Sequence, residues 1–243
     1  MRYAIIADIH ANLAAFTAVL EDIEKQGGVN EIWCLGDVVG YGPDPHQCLE
    51  LLRQKNHICI AGNHDWAAVG KIDTAYFNPD AAAACHWTAR QLSPEDIKYL
   101  ESLSLILERA EFTLAHGSPR EPTGEYIIST SIAKVNFNLF QSPYCLVGHY
   151  HVPLVFKEEG DTCSASQFLP NVGLALGKSR LIINPGGVGQ PRDGDPRASY
   201  AIYDRENKIV RLYRIPYDIA ATQDKMIQHG LPIHLVVRLG YGQ

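Results

Sequence analysis

This chain has no C-x-x-C pair, no apolar run approaching the ~18 residues of a membrane span, and no excess of positive charge. Each absence closes off a class. Cys34, Cys48, Cys59, Cys85, Cys145 and Cys163 are scattered singly, and no cysteine is needed here as a metal ligand. An even count permits disulfides, but a core built from 243 residues does not need them, and buried thiols in a reducing compartment are expected. With 21 Lys and Arg against 27 Asp and Glu, the net charge is −6, and no basic field marks nucleic acid or an anionic membrane as a partner. Met1 to His10 has one basic residue, a very short apolar run and then Asp8, which is not a secretory signal. The expectation is a soluble cytoplasmic protein of one domain spanning residues 1–243, without internal repeats or low-complexity segments.

The first third alternates strand and helix. Tyr3-Ala4-Ile5-Ile6-Ala7 reads as a buried strand. Asn12 caps a helix whose Leu13, Phe16, Val19, Leu20 and Ile23 recur at helical spacing until Gly27-Gly28. Glu31–Leu35 is a second strand, about His46 to Gln54 a helix, and Ile58–Ile60 a third strand. Residues 66–107 break the rhythm and predict a helical insertion, with helices at Ala81–Gln91 and from Ser93-Pro94 onward. Glu111–Ala115 and Tyr144–Val147 are strands, separated by a helix over Ser129–Phe140. After Pro153 short strand-like runs dominate (Leu154–Lys157, Leu181–Ile183, Ser199–Tyr203, Ile209–Arg214), which suggests an antiparallel sheet before a last helix at Asp218–His229. Loops 170–180 and 184–198 are the expected mobile regions.

Five short blocks carry metal-ligand residues: Asp8-Ile9-His10, Gly36-Asp37, Gly62-Asn63-His64-Asp65, His116-Gly117 and Gly148-His149-Tyr150-His151. Each follows a predicted strand, where ligands bind in open α/β sheets. On extended backbone, residues two apart share a face, so Asp8 with His10, and His149 with His151, would each reach one point. A lone D-x-H or G-H-x-H is most often coincidence. Together the blocks supply seven oxygen and imidazole ligands, the hard and borderline donors that two adjacent divalent cations take.

In this order, the blocks resemble those of the calcineurin-like metallophosphoesterases: D-x-H, G-D, G-N-H-D/E, an isolated H, and G-H-x-H. The stretch Asn184-Pro185-Gly186-Gly187-Val188-Gly189-Gln190-Pro191-Arg192 is similar to the N-P-G-S-V-G-Q-P-R of a compact prokaryotic branch labelled phosphodiesterase or diadenosine-tetraphosphatase-like; Gly187 stands where that branch has Ser. The resemblance implies an α/β (α+β) four-layer α/β/β/α sandwich, in which two mixed β-sheets are flanked by helices. It implies that Asp8, His10 and His151 hold one metal, that Asn63, His116 and His149 hold the other, and that Asp37 bridges them. Mn, Fe, Zn, Ni or Co would suit these donors, with Mn favoured. Two cations ~3.5–4 Å apart make a hydroxide available near neutral pH and neutralise phosphoryl charge. His64 would protonate the leaving alkoxide and Asp65 would orient its imidazole. The substrate expected is a small phosphoester or nucleotide, with phosphodiesters ahead of phosphomonoesters or dinucleoside polyphosphates, and a metal-free interaction scaffold last because no ligand is missing.

Tyr41 is a candidate substrate contact, as are Arg192 and, less so, Arg197. Val39-Gly40-Tyr41 replaces the Asp-Arg-Gly of the superfamily's protein phosphatases, which argues against that activity. His46, His57, His86, His229 and His234 have no partner motif and read as structural or exposed. Gly177-Lys178-Ser179 lacks the earlier glycine of a P-loop, since Val172 stands there. Helix 81–91 could roof the site or simply pack.

Overall fold

Along the first strand Tyr3, Ile5 and Ala7 face one way, Ala4 and Ile6 the other, and both sets are buried. A strand buried on both faces must lie between two layers. The computed structural model describes residues 1–243. In chain order, its strands are β1 (Arg2–Ile6), β2 (Glu31–Cys34), β3 (His57–Cys59), β4 (Ile106–Arg109), β5 (Phe112–Ala115), β6 (Tyr144–Leu146), β7 (Leu154–Glu159), β8 (Thr162–Gln167), β9 (Gly173–Ala175), β10 (Leu181–Asn184), β11 (Ala198–Asp204) and β12 (Ile209–Ile215). The helices are α1 (Leu13–Lys25), α2 (Pro45–Arg53), α3 (Asn63–Ala68), α4 (Pro79–Ala89), α5 (Pro94–Ser102), α6 (Thr130–Phe137), α7 (Ile219–Gln228) and α8 (Ile233–Arg238).

Two six-stranded mixed sheets result, ordered β3-β2-β1-β11-β12-β9 and β4-β5-β6-β10-β7-β8. Between them lie Tyr3, Ile5 and Trp33 from one sheet and Phe112, Leu146 and Ile183 from the other. The outer face of the first sheet packs on α1 and α2 through Phe16, Val19, Leu49 and Leu52. That of the second packs on α6 through Ala133 and Phe137. This is the expected four-layer sandwich. No helix is long and apolar enough to cross a membrane. All six cysteines are free thiols, five of them buried.

Three expectations need correction. The strands after Pro153 do not form one antiparallel sheet: β7, β8 and β10 join the second sheet, while β9, β11 and β12 join the first. Each sheet has a parallel core, β1-β2-β3 or β5-β6-β10, extended by antiparallel strands. The helical insertion ends at Ser102; Ser104 bridges Ile60 and β4 pairs with β5. The segment 184–191 is not a free loop. It is buried throughout and tied down by Val188 N–H to Ala7 O, Gly189 N–H to Asp8 O, and Asn12 Nδ2 to Gly189 O. A Cβ at Gly189 would overlap the Ile9 carbonyl, so only glycine lets this segment lie against the Asp8 loop.

Candidate metal centre

Every block sits just past a strand end. Asp8 and His10 follow β1, Asp37 follows β2, Asn63 opens α3 beyond β3, His116 directly follows β5, and His149 and His151 follow β6. All seven side chains are buried. The geometry that makes them converge is not the extended one expected. Asp8, His10, Asp37, His149 and His151 have φ of 56°, 48°, 54°, 64° and 59°. This left-handed backbone is costly for residues with a side chain and persists where the surroundings enforce it. Here the Asp8, His10 and Ala11 amides donate to the carbonyls of Gly36, Asp37 and Val38, locking two ligand loops together.

The ligand atoms gather in two groups, Asp8 with His10 and His151, and Asp37 with His116 and His149, each within 4.8 Å. Asp37 Oδ2 lies 3.3 Å from His116 Nε2 and 3.7 Å from His10 Nε2, so it stands between the groups. Asn63 Oδ1 is 3.1 Å from His116 Nε2, and His149 Nδ1 is 3.2 Å from that same nitrogen.

Whether a cation pair fits these residues is decided by the protons. His10 Nδ1 faces Val39 O at 3.2 Å, His116 Nδ1 faces Leu35 O at 2.8 Å, and His151 Nδ1 faces Gln190 O at 2.5 Å. A carbonyl only accepts, so each Nδ1 carries the proton and each Nε2 of a neutral ring presents a lone pair. Those bare nitrogens point at one another and at carboxylate oxygens, and Asp37 Oδ2 is buried with no hydrogen-bond partner. Lone pairs converging in a buried site call for positive charge, and nitrogen and oxygen donors suit divalent transition metals. The titration shows the same demand for positive charge, met on His116 by a second proton. Burial raises the Asp37 carboxyl, yet the His116, His64 and His10 charges hold it well below the usual carboxylate range. Burial lowers His116, and the Asp37 carboxylate reverses this and holds it up at about 10. Burial keeps His10, His149 and His151 below the ordinary imidazole value.

His64 is buried beside this centre, its ring 5.0 Å from that of His10 and 4.3 Å from that of Tyr41. Burial pulls its imidazole down to about 4, with Asp37 opposing. The expected contact from Asp65 to this imidazole is absent. Asp65 instead accepts from the Asp37, Val39 and Gly62 amides at 2.7, 3.1 and 3.0 Å, and so clamps the Asp37 loop to the start of α3. Burial and the Asp37 charge push the Asp65 carboxyl up to about 7, against those hydrogen bonds. The neighbour of His64 Nδ1 is Cys85 Sγ on α4, at 3.1 Å. Burial keeps that thiol protonated. Nothing in the sequence pattern singled out Cys85, because a cysteine within an alanine-rich helix reads as core.

Tyr41 is buried and walls the centre, with its ring 4.5 Å from that of His10. Arg192 reaches its hydroxyl at 3.4 Å and also donates to Gln190 Oε1. Arg238, from α8, lies 4.8 Å over the Tyr41 ring and donates to the same Gln190 oxygen. Sequence reading missed Arg238, which stands far from every motif. Arg197 is held by Asp195 on the surface and does not join the site. The histidines outside the blocks stay outside the centre: His46 bonds Asp96, His57 bonds Tyr99, His86 bonds Thr74, His229 lies against the Trp87 ring, and His234 pairs with Asp80.

Known proteins are similar to this chain in sequence and fold. A metallophosphoesterase from Sphaerobacter thermophilus, of known crystal structure, is 47% identical, covers 100% of this chain and 99% of its own, and superposes with a TM-score of 0.91. An uncharacterized protein of Methanocaldococcus jannaschii is 39% identical over 99% of this chain and 98% of its own length. A symmetrical bis(5'-nucleosyl)-tetraphosphatase of Haemophilus ducreyi is 29% identical over 36% of this chain and 37% of its own. A family model described as the calcineurin-like phosphoesterase superfamily domain matches residues 1–208, and this chain belongs to that superfamily.

Proposed function

We propose that this chain is a dinuclear metal-dependent phosphoesterase acting on phosphodiesters or small nucleotides. The observation that carries the reading is the convergence of bare histidine nitrogens and the unpartnered Asp37 Oδ2 on two adjoining points. Asp8, His10 and His151 would hold one divalent cation, and Asn63, His116 and His149 the other, with Asp37 shared between them. Manganese is the favoured metal. When bound, such a pair lowers the pKa of a water and neutralises charge on the phosphoryl oxygens.

The chain's own residues supply the rest. Hydrolysis joins a water oxygen to phosphorus and breaks the bond to the leaving oxygen, which then needs a proton. His64 is the group in this reading that gives it. It is buried beside the centre without being a ligand, and an anionic phosphoryl group within reach opposes the burial that lowers its imidazole. Cys85 positions the ring. Arg192, beside Tyr41 and without a carboxylate partner, grips a phosphoryl oxygen.

A second reading, dinucleoside polyphosphate hydrolysis, is favoured by the partial likeness to symmetrical tetraphosphatases. The test uses chelator-stripped protein reloaded with Mn2+ and assayed on bis-p-nitrophenyl phosphate, p-nitrophenyl phosphate and diadenosine tetraphosphate. Diester turnover well above the others is the expected result. Turnover confined to the tetraphosphate would move the second reading to the front, and about two metals bound with no turnover on any ester would overturn both.

A further inference from the structure

Beside His64 opens a cleft of about 320 Å3, within the ~300–1,000 Å3 of small-molecule sites. Tyr41, Tyr76, Phe77 and Tyr126 stand among its walls. Tyr126 stacks on the ligand His149, with ring centroids 3.9 Å apart and planes 11° from parallel, and is 41% exposed. Phe77 lies 5.1 Å from the His64 ring, and Tyr76, at 92% exposed, projects from the short 3-10 turn Thr74–Tyr76 before α4. Exposed rings gathered around one concavity beside a proton donor are poorly explained as core, and they are a stacking platform for a flat ligand.

The remaining lining narrows the chemistry. Asp73, Asn78 and Thr123 border the cleft, and no Lys or Arg does. Asn78 uses its Oδ1 to cap α4 through Ala81 N–H, which leaves its amide N–H groups for a ligand. Apart from the metal ligands Asn63 and His149, the lining has an acidic residue and no Lys or Arg, and that part of the cleft does not select a further phosphate chain. Asp73 Oδ1 accepts from Ala75 N–H, so an apolar chain would leave Asp73 Oδ2 and the Asn78 amide N–H groups covered without partners. A neutral, flat group edged with donors and acceptors satisfies all of these. The cleft also borders His64, which protonates the departing oxygen, so it receives the leaving group.

We infer that this cleft is a nucleoside site: the base stacks on Tyr126 and its edge meets Asp73 and Asn78, so that the alcohol released is a nucleoside. This rests on the phosphoesterase reading for the role of the site, and goes beyond it by naming the leaving group. It also ranks nucleoside monophosphate esters above dinucleoside polyphosphates, whose leaving group carries charged phosphates.

The experiment is calorimetric titration of the Mn2+-loaded enzyme with adenosine and with ribose, together with their inhibition of bis-p-nitrophenyl phosphate hydrolysis. Adenosine is expected to bind and compete, and ribose to do neither at the same concentrations. Tyr126→Ala is expected to weaken adenosine binding by roughly 5- to 150-fold, the range of a lost base stack, and Tyr126→Phe to restore it. Because Tyr126 touches a ligand histidine, Tyr76→Ala, away from the ligands, provides a second loss of binding free of that contact. Equal binding of adenosine and ribose, or adenosine affinity unchanged in both alanine variants, would overturn the nucleoside site. Adenosine binding lost in these variants, with no ester turned over by the parent enzyme, would keep the site and sink the phosphoesterase reading instead.

Discussion

His10 and His151 aim their Nε2 atoms at each other across 3.1 Å, while each commits its Nδ1–H to a backbone carbonyl. Two lone pairs at that distance repel in a buried site unless a cation lies within reach of both. The folded chain is therefore expected to gain stability from divalent metal. At a free concentration a hundred times the dissociation constant, linkage gives about 2.7 kcal/mol. For a chain of this size that raises Tm by about 5–10 °C. Scanning calorimetry of chelator-stripped protein, with and without Mn2+, Zn2+ or Co2+, reads this directly. An unchanged Tm with all three would rule out the centre.

Asp65 joins two ligand loops through three amide hydrogens. Asp65→Ala leaves those buried N–H groups without acceptors. The expected cost is on the order of 3 kcal/mol, since a buried N–H left unsatisfied costs about 1–3 kcal/mol. Activity and bound metal should fall together, because Asp37 loses its support. A variant with parental Tm and metal content would show that the clamp is dispensable.

Much of this was legible in sequence because strand ends and ligands coincide. The apolar run before Asp8, and those before Gly36, His116 and Gly148, locate both the sheets and the centre. What escaped did so for physical reasons. β8 is Thr-Cys-Ser-Ala-Ser-Gln, an exposed edge strand with no apolar face to betray it, and β9 and α8 are too short for periodicity. The segment after Asn184 looked mobile because Gly and Pro are abundant there, yet those glycines permit close packing on the Asp8 loop. The ligand pairs converge through left-handed turns, which side-chain spacing alone does not reveal.

Cys85 Sγ lies 3.1 Å from His64 Nδ1, and burial keeps the thiol protonated, so it can hold the ring without titrating near neutral pH. His64→Ala is expected to keep the metals and to lose rate far more on alkyl than on p-nitrophenyl leaving groups, by about 10²–10⁴-fold, the usual contribution of a general acid. Equal loss on both, with metal released, would sink the general-acid role. Cys85→Ala should lower kcat in the same leaving-group-dependent manner but less, and Cys85→Ser should recover most of it. A uniform loss across leaving groups would reduce Cys85 to packing.

The pair His46 and Asp96 ties α2 to α5 at 2.7 Å, and Asp96 also accepts from the Ser93 amide at the start of α5. Burial raises the Asp96 carboxyl, but the hydrogen bonds from His46 and Ser93 outweigh it and hold the group below its ordinary 3.8. A depressed carboxyl contributes stability that is present above the unfolded value near pH 4 and is lost as pH falls through the folded value. Asp96→Asn should therefore lower Tm at pH 6 and flatten its fall below pH 4. Parallel Tm profiles for the two proteins between pH 2.5 and 6 would contradict this.

Arg192 and Arg238 approach the Tyr41 ring and share one acceptor, Gln190 Oε1, and the Nε of each is buried without a partner. Burial and the Arg192 charge pull the Arg238 guanidinium below its ordinary value. Two cations so placed, with no carboxylate in contact, favour an anion between the loop and the centre. Inorganic phosphate should inhibit the metal-loaded enzyme competitively. Arg192→Ala should weaken that inhibition by roughly 10- to 150-fold, the equivalent of one lost charge-assisted hydrogen bond. Arg192→Lys should recover little, because an ammonium cannot reach Gln190, the Tyr41 hydroxyl and a phosphoryl oxygen from one fork. Unaltered phosphate inhibition in Arg192→Ala would place the arginine in the scaffold of the Gln190 segment, where its backbone N–H already donates to His151 O.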